Sequence, residues 1–145
     1  MVREAQYGDL NGILNLYLHL HESSVPEESG NLKNMWDEIM ANEAYHLIVY
    51  EKYGKIVSSC VCVIVPNLTR KVRKYALIEN VVTHKGYRGK GYATQCLAFA
   101  KKIAVDNNCY KLMLITGSQE ETTLQFYKNA GYSSDGKTAF VQWME

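Results

Sequence analysis

From His84 to Gln95 the chain reads HKGYRGKGYATQ, and no other stretch limits the fold as much. Residues 84–91 hold three glycines (Gly86, Gly89, Gly91) and three cations (Lys85, Arg88, Lys90). YALIENVVTH stands directly before it, β-branched and apolar, with the pattern of a strand. From Gly91 to about Asn107, Tyr92, Cys96, Ala100, Ile103 and Ala104 fall on one helical face, and Gln95, Lys101, Lys102 and Asp106 on the other. A strand, a bare positive loop and a helix therefore follow one another without interruption. The first turn of a helix has unpaired backbone N–H groups and the positive end of the dipole, so it attracts anions. Glycines let a phosphate come close to those groups. The stretch reads either as a cradle for phosphate or pyrophosphate or as a charged helix cap without a ligand.

The rest of the chain supplies a sheet and its cover. Arg3–Gln6 is expected to be a short strand, and Asp9 an N-cap for a helix from Leu10 to His21 with Leu10, Ile13, Leu14, Tyr17 and Leu20 on one stripe. Pro26 and Gly30 interrupt before a second helix from about Leu32 to Asn42. AYHLIVYE and KIVSSCVCVIV read as a hairpin, and Pro66–Lys74 as a polar, basic connection. After the glycine loop and its helix come a strand in YKLMLIT, a short helix over Glu121–Asn129 and a last strand in TAFVQWM. The predicted order is β-α-α-β-β-β-α-β-α-β, an α/β domain around a central mixed sheet, with residues 1–145 as one domain.

Net charge is +1, so no general field draws the chain to nucleic acid or acidic membranes. No apolar run approaches the roughly 20 residues of a membrane span. The opening residues MVREAQYGDL lack a signal-peptide pattern, which makes the cytoplasm the expected location. The four cysteines form no CxxC pair and are expected to be buried, reduced thiols. His19 and His21 are two apart on a helix and point to different faces, so no metal site is expected.

Spacing excludes two phosphate loops. Gly86, Gly89 and Gly91 do not follow GxGxxG, and Lys90 is followed by Gly91 where a Walker loop needs Ser or Thr. Arg88-Gly89-Lys90-Gly91-Tyr92-Ala93 does resemble the Q/R-x-x-G-x-G/A signature of the GNAT superfamily of N-acetyltransferases. The strand IENVV before it and FYKNAGY at Phe126–Tyr132 are similar to further blocks of that superfamily, in the same order. Within it, the blocks are especially similar to glucosamine-6-phosphate N-acetyltransferases.

The resemblance implies an acetyl-coenzyme A cosubstrate, held at Arg88, Gly89, Lys90, Gly91, Tyr92 and Ala93 through its pyrophosphate. Its pantetheine arm would lie along the strand through Val81, Val82, Thr83 and His84. It also implies Tyr127 as general acid to the departing thiolate and a backbone N–H, assigned to Val82, facing the thioester oxygen. Glu79, an acid within an apolar strand, is the candidate base if half-burial raises its pKa. His84 titrates in the useful range but sits at the strand end, where a backbone role is expected. Many members carry Asn seven residues before the tyrosine; Glu120 stands there, a carboxylate unsuited to phosphate.

The expected acceptor is a primary amine on a small molecule, and the expected assembly includes a homodimer, since many relatives pair through their sheets. A protein or peptide N-acetyltransferase and a non-catalytic acyl-coenzyme A-binding module are the alternatives.

Overall fold

The computed structural model describes all of residues 1–145. Its centre is the hairpin of β2 (Tyr45–Lys52) and β3 (Lys55–Val65). Tyr53 and Gly54 make the turn with φ of 50° and 77°, the double positive pair whose twist matches that of the flanking strands. β1 (Val2–Glu4) flanks β2, and β4 (Tyr75–Thr83) flanks β3, both antiparallel. β5 (Leu112–Leu114) joins β4 in parallel, which requires a crossover and receives one from α4 (Tyr92–Asp106). The sheet order is β1-β2-β3-β4-β5.

β3 is buried from Ile56 to Cys62, because helices cover both faces of the sheet. On one face, α1 (Leu10–Tyr17) and α2 (Gly30–Ala41) bring Ile13, Leu16 and Trp36 onto Leu47, Val49, Ile56, Val61 and Val82. A Cβ added at Gly12 would stand 3.2 Å from Ile56 Cδ1, so this glycine sets how closely α1 approaches β3. Trp36 Nε1 donates to the Tyr7 carbonyl at 3.0 Å, satisfying the one polar atom the ring would otherwise bury unpaired. On the other face, Cys96, Leu97, Ala100 and Ala104 of α4 pack on Ile48, Cys60, Cys62, Ile64, Ala76 and Ile78. Leu97, Ile48, Ile64 and Ile78 each contribute about 1.5–3 kcal/mol by leaving water, and the alanines less. α5 (Glu121–Asn129) closes the rim with Phe126 and Tyr127.

Local signals were used differently from expectation at five places. The first strand covers Val2–Glu4, and α1 stops at Tyr17, after which His19 and Leu20 make tighter i→i−3 turns. Asp9 stands at the N-cap position of α1, but its side chain makes no capping bond there. It accepts from the Gln6 N–H at 2.7 Å, closing the 3-10 turn Tyr7–Asp9, and grips Arg3 at 2.7 and 3.1 Å. The basic connection holds one left-handed turn, α3 (Thr69–Val72), where Arg70, Lys71 and Val72 have φ between 54° and 61°. The Asn67 amide braces it by donating to Thr69 and Arg73 carbonyls. Finally, TAFVQWM forms no strand within the chain. The fold class stands without it.

The Arg3–Asp9 pair ties β1 to the start of α1 and is mostly buried, with side chains 18% and 15% exposed. Hydrogen bonding to Arg3, outweighing burial, holds the Asp9 carboxyl below the usual carboxylate range. A depressed carboxylate pKa contributes stability that is complete above the unfolded value and disappears as pH falls through the folded one. Asp9→Asn should therefore cost about 2–3 kcal/mol at pH 7, below the about 3–5 of a fully buried pair, and the deficit should shrink toward pH 2–3. Urea denaturation at several pH values measures it. A cost under about 0.5 kcal/mol at pH 7 refutes the role.

Candidate active site

β4 carries the irregularity that builds the site. Val61 pairs with Glu79 and Ser59 with Val82, so Asn80 and Val81 together oppose Cys60. This is a β-bulge, and Asn80 takes up the extra residue with φ of 51°, a conformation asparagine tolerates better than most residues. One added residue exchanges the faces of everything after it. Ala76 and Ile78 face α4, Val81 joins that side, and Val82 turns to the α1/α2 side among Leu16 and Ile56. The β4–β5 ladder ends at Ile78–Leu114, so from Glu79 onward the strand edge toward α5 has no strand beside it.

The bulge corrects the assignment of Val82. The Val82 carbonyl accepts from Ser58 Oγ at 3.0 Å, and the His84 N–H donates to the Val57 carbonyl at 2.8 Å, both on β3. In a strand the N–H and C=O of one residue share a side and alternate along the chain. The Val82 N–H therefore points into the sheet, and its side chain is 5% exposed. Val81, on the opposite alternation, is the residue whose amide faces the open edge. Sequence reasoning missed this by one position because a bulge has no composition of its own.

The glycine loop follows at once. Gly89 and Gly91 have φ of 75° and 81°, and a Cβ at either would meet nothing within 4 Å. Backbone N–H groups from Arg88 to Thr94 have no acceptor within the protein; the first to find one is Gln95, on the Gly91 carbonyl at 3.1 Å. A row of unpaired donors at an open helix N-terminus fits a pyrophosphate. Side chains divide differently from the sequence expectation. The Arg88 guanidinium turns back to the Thr83 and His19 carbonyls, at 3.2 and 3.5 Å, and braces the loop. The Tyr92 ring is buried and stacked on Tyr50, centroids 4.2 Å apart, so only its backbone faces the cradle. Lys90 and Lys55 keep their ammonium groups 5.6 Å from the Tyr87 ring centroid, flanking the loop with positive charge. Ala93 sits in the first turn of α4, half-buried.

Two histidines fix the loop's entry. His84 Nδ1 accepts from the Gly86 N–H at 3.0 Å, and His19 Nδ1 from the Lys85 N–H at 3.3 Å, with the rings 4.1 Å apart. Burial, His19, Lys55 and Arg88 together hold the His84 imidazole below the ordinary histidine pKa, so it stays neutral and accepting. Thr83 Oγ1 is engaged with Ser58 Oγ at 2.9 Å.

Tyr127 comes from α5 to the α4 face of the same region. Its ring packs edge-on to Phe126 and Tyr132, at centroid distances of 5.1 and 6.3 Å. Burial, with a smaller contribution from the Cys60 thiol opposite the bulge, pushes its phenol pKa up. It is therefore a proton donor throughout the neutral range. Glu79 departs from expectation: its side chain is exposed rather than half-buried. It lies near Tyr45, whose phenol pKa is raised by burial and then by Glu79. Burial likewise pushes the Tyr17 phenol up to about 12, and a hydrogen bond to Asn80 opposes the rise. Tyr17 and Tyr45 were not legible as neighbours of this stretch, since in sequence they are an amphipathic-helix aromatic and a strand aromatic.

Glu120 is exposed at the N-cap of α5, where its side chain makes no capping bond and its N–H donates to Ser118 Oγ at 3.2 Å. The acidic segment 21–31 is exposed throughout. All four cysteines are free thiols, and no group of three or more His, Cys, Asp or Glu side chains is placed to hold a metal ion. No helix is long and apolar enough to cross a membrane.

Residues 10–132 match the acetyltransferase (GNAT) family. A glucosamine 6-phosphate N-acetyltransferase of Trypanosoma brucei brucei is 32% identical over 133 residues, covering 90% of this chain and 87% of that one. A solved structure from Agrobacterium tumefaciens str. C58 superposes with a TM-score of 0.91 at 34% identity, over 99% of both chains. The crystal structure of glucosamine-6-phosphate N-acetyltransferase from Arabidopsis thaliana shares the fold, with a TM-score of 0.88 at 21% identity over 100% of this chain and 98% of that one. The chain therefore belongs to the acetyltransferase (GNAT) family of enzymes.

Proposed function

We propose that the protein moves an acetyl group from acetyl-coenzyme A directly to a primary amine of a small molecule, with residues 1–145 acting as one domain. The observation that carries this reading is the row of unpaired N–H groups from Arg88 to Thr94, which begins where the open edge of β4 ends. When bound, the coenzyme supplies an activated acetyl thioester. Gly89, Lys90, Gly91, Tyr92 and Ala93 hold its pyrophosphate through backbone N–H groups, with Lys90 adding charge and Arg88 fixing the loop. Val81 and Thr83 offer backbone groups along the strand edge, and the Val81 N–H takes the oxyanion role first given to Val82. His84 keeps the loop entry in place.

Tyr127 Oη donates its proton to the thiolate as it leaves. Glu79, being solvated, receives the amine's proton through water rather than as a buried base. Direct transfer is favoured over an acyl-enzyme because Cys60, the thiol near Tyr127, is fully buried and its pKa is driven up by burial, leaving almost no thiolate to attack. Free cysteines, three buried and Cys109 half-buried, also fit the cytoplasm.

Glucosamine 6-phosphate is the first acceptor to test, because the relative of that name is 32% identical over 90% of this chain. Thiol release from acetyl-coenzyme A, followed across amino sugars and their phosphates, polyamines and peptides, decides the matter. Turnover confined to one small-molecule class is expected. Turnover on peptides alone overturns the acceptor class, tight coenzyme binding without turnover on any amine favours a regulatory module, and no coenzyme binding refutes the loop assignment.

A further inference from the structure

His84 stands at the N-cap of the 3-10 turn Lys85–Tyr87, which opens the glycine loop, and its Nδ1 accepts from the Gly86 N–H at 3.0 Å. Asparagine and serine are the usual residues at such a start, because their oxygens accept without titrating near neutrality. A histidine caps only while the accepting nitrogen carries no proton. The neighbouring amide is held in the same way. The Lys85 N–H donates at 3.3 Å to Nδ1 of His19, two residues past the end of α1. Neither N–H has a carbonyl acceptor, so the first two amides of the loop both depend on imidazole lone pairs.

The surroundings oppose a charge on these rings. With each Nδ1 accepting, each neutral ring carries its proton on Nε2. The rings are 4.1 Å apart, and Lys55 Nζ is 3.4 Å from His84 Nε2, so that a donor faces a donor. The groups around His84 are His19 beyond α1, Lys55 at the start of β3, and Tyr87 and Arg88 of the loop; none is negative. Asp9 and Glu51 line the same groove between α1 and the β2–β3 turn, and Arg3 holds both. A proton gained at either Nδ1 sets N–H against N–H and adds a cation among cations.

We infer that His19 and His84 are positioning residues for the coenzyme, keeping the loop in its anion-binding form only while both rings are neutral. The role presupposes that the loop binds the coenzyme. It ties coenzyme affinity to pH and moors the loop to the end of α1, where Arg88 also reaches the His19 carbonyl at 3.5 Å. The sign is distinctive. Because the His84 pKa is lowered, its cap is complete above the ordinary histidine value and is lost as pH falls through the lowered one. A histidine acting merely as a positive charge would give the opposite slope, since acid would then draw the pyrophosphate more strongly.

Calorimetric titration with 3′-dephospho-coenzyme A at several pH values tests it. This probe keeps the pyrophosphate and lacks the phosphate monoester, which itself titrates at about pH 6. Wild-type affinity should fall about three- to tenfold from about pH 7 to about pH 5. The double variant His19→Asn, His84→Asn puts a non-titrating amide oxygen in place of each Nδ1, and its affinity should stay within about twofold over that range. The double variant His19→Ala, His84→Ala loses both acceptors and should bind about fivefold or more weakly than the Asn variant at about pH 7. A wild-type affinity that is flat or rises toward acid overturns the positioning role. An acid loss that persists in the Asn variant overturns it too, as does equal binding by the Asn and Ala variants. Amide resonances of Lys85 and Gly86 in the ligand-free protein separate this role from the coenzyme assignment. If they shift as the imidazoles titrate and the probe binds at no pH, the assignment fails while the histidines' hold on the loop stands. If the probe binds and they do not shift, the positioning role alone fails.

Discussion

Tyr127→Phe should lower kcat for acetyl transfer about 100-fold while leaving acetyl-coenzyme A affinity within about twofold, the loss expected when one general acid is removed. The substitution keeps the ring, and with it the edge-on packing against Phe126 and Tyr132, so stability should hardly change. Only the proton is removed. The pH profile separates this role from a structural one. Because burial raises the Tyr127 pKa above its ordinary value, the acid remains protonated across the neutral range and the wild-type rate should climb with pH as the acceptor amine loses its proton. Its alkaline decline should begin only above about pH 10, and the mutant should lack that decline. Equal rates for the two proteins would remove Tyr127 from the mechanism and leave water to protonate the thiolate.

At Gly91, two substitutions divide backbone strain from occupation of the cradle. Gly91 has φ of 81° and ψ of 9°, the left-handed region, and stands as the N-cap of α4. Gly91→Val places a β-branched residue there, at a strain of about 1–3 kcal/mol, so the melting temperature should fall by about 2–8 °C. Gly91→Asn tolerates the same backbone and should melt within about 2 °C of wild type. Both add a Cβ to space that is open in the protein, directly beside the unpaired N–H groups. Both should therefore weaken acetyl-coenzyme A binding at least tenfold, about 1.4 kcal/mol, by calorimetry. An Asn variant that binds like wild type would mean that the coenzyme does not approach the backbone at this point.

How legible the molecule was depended on how local each signal was. α5 begins and ends where its periodicity and flanking residues place it, at Glu121 and Asn129. The β2–β3 hairpin was legible because Tyr53-Gly54 and two alternating apolar runs state it within a few residues. The glycine loop was legible because φ above zero and close approach both require glycine at Gly89 and Gly91. Val82 was misjudged in direction because it follows the bulge at Asn80–Val81, which the register with β3 creates, whereas Glu79 precedes the bulge and is exposed on the alternation opposite to buried Ala76 and Ile78. Asp9 looked like a cap until Arg3 and Gln6 came within hydrogen-bonding distance of it.

Periodicities, turn chemistry and the bare, positive helix start were readable from the residues alone, since each is a property of residues within about one turn or one hairpin of one another. Only the tertiary structure decided the rest: which amide of β4 faces the open edge, which side of the sheet Tyr127 approaches, and that Arg88 braces the loop from behind. It also left TAFVQWM outside the sheet, because strand propensity names a strand but not its neighbour. Those outcomes rest on pairing between residues distant in sequence, and a single bulged residue is enough to exchange one face for the other.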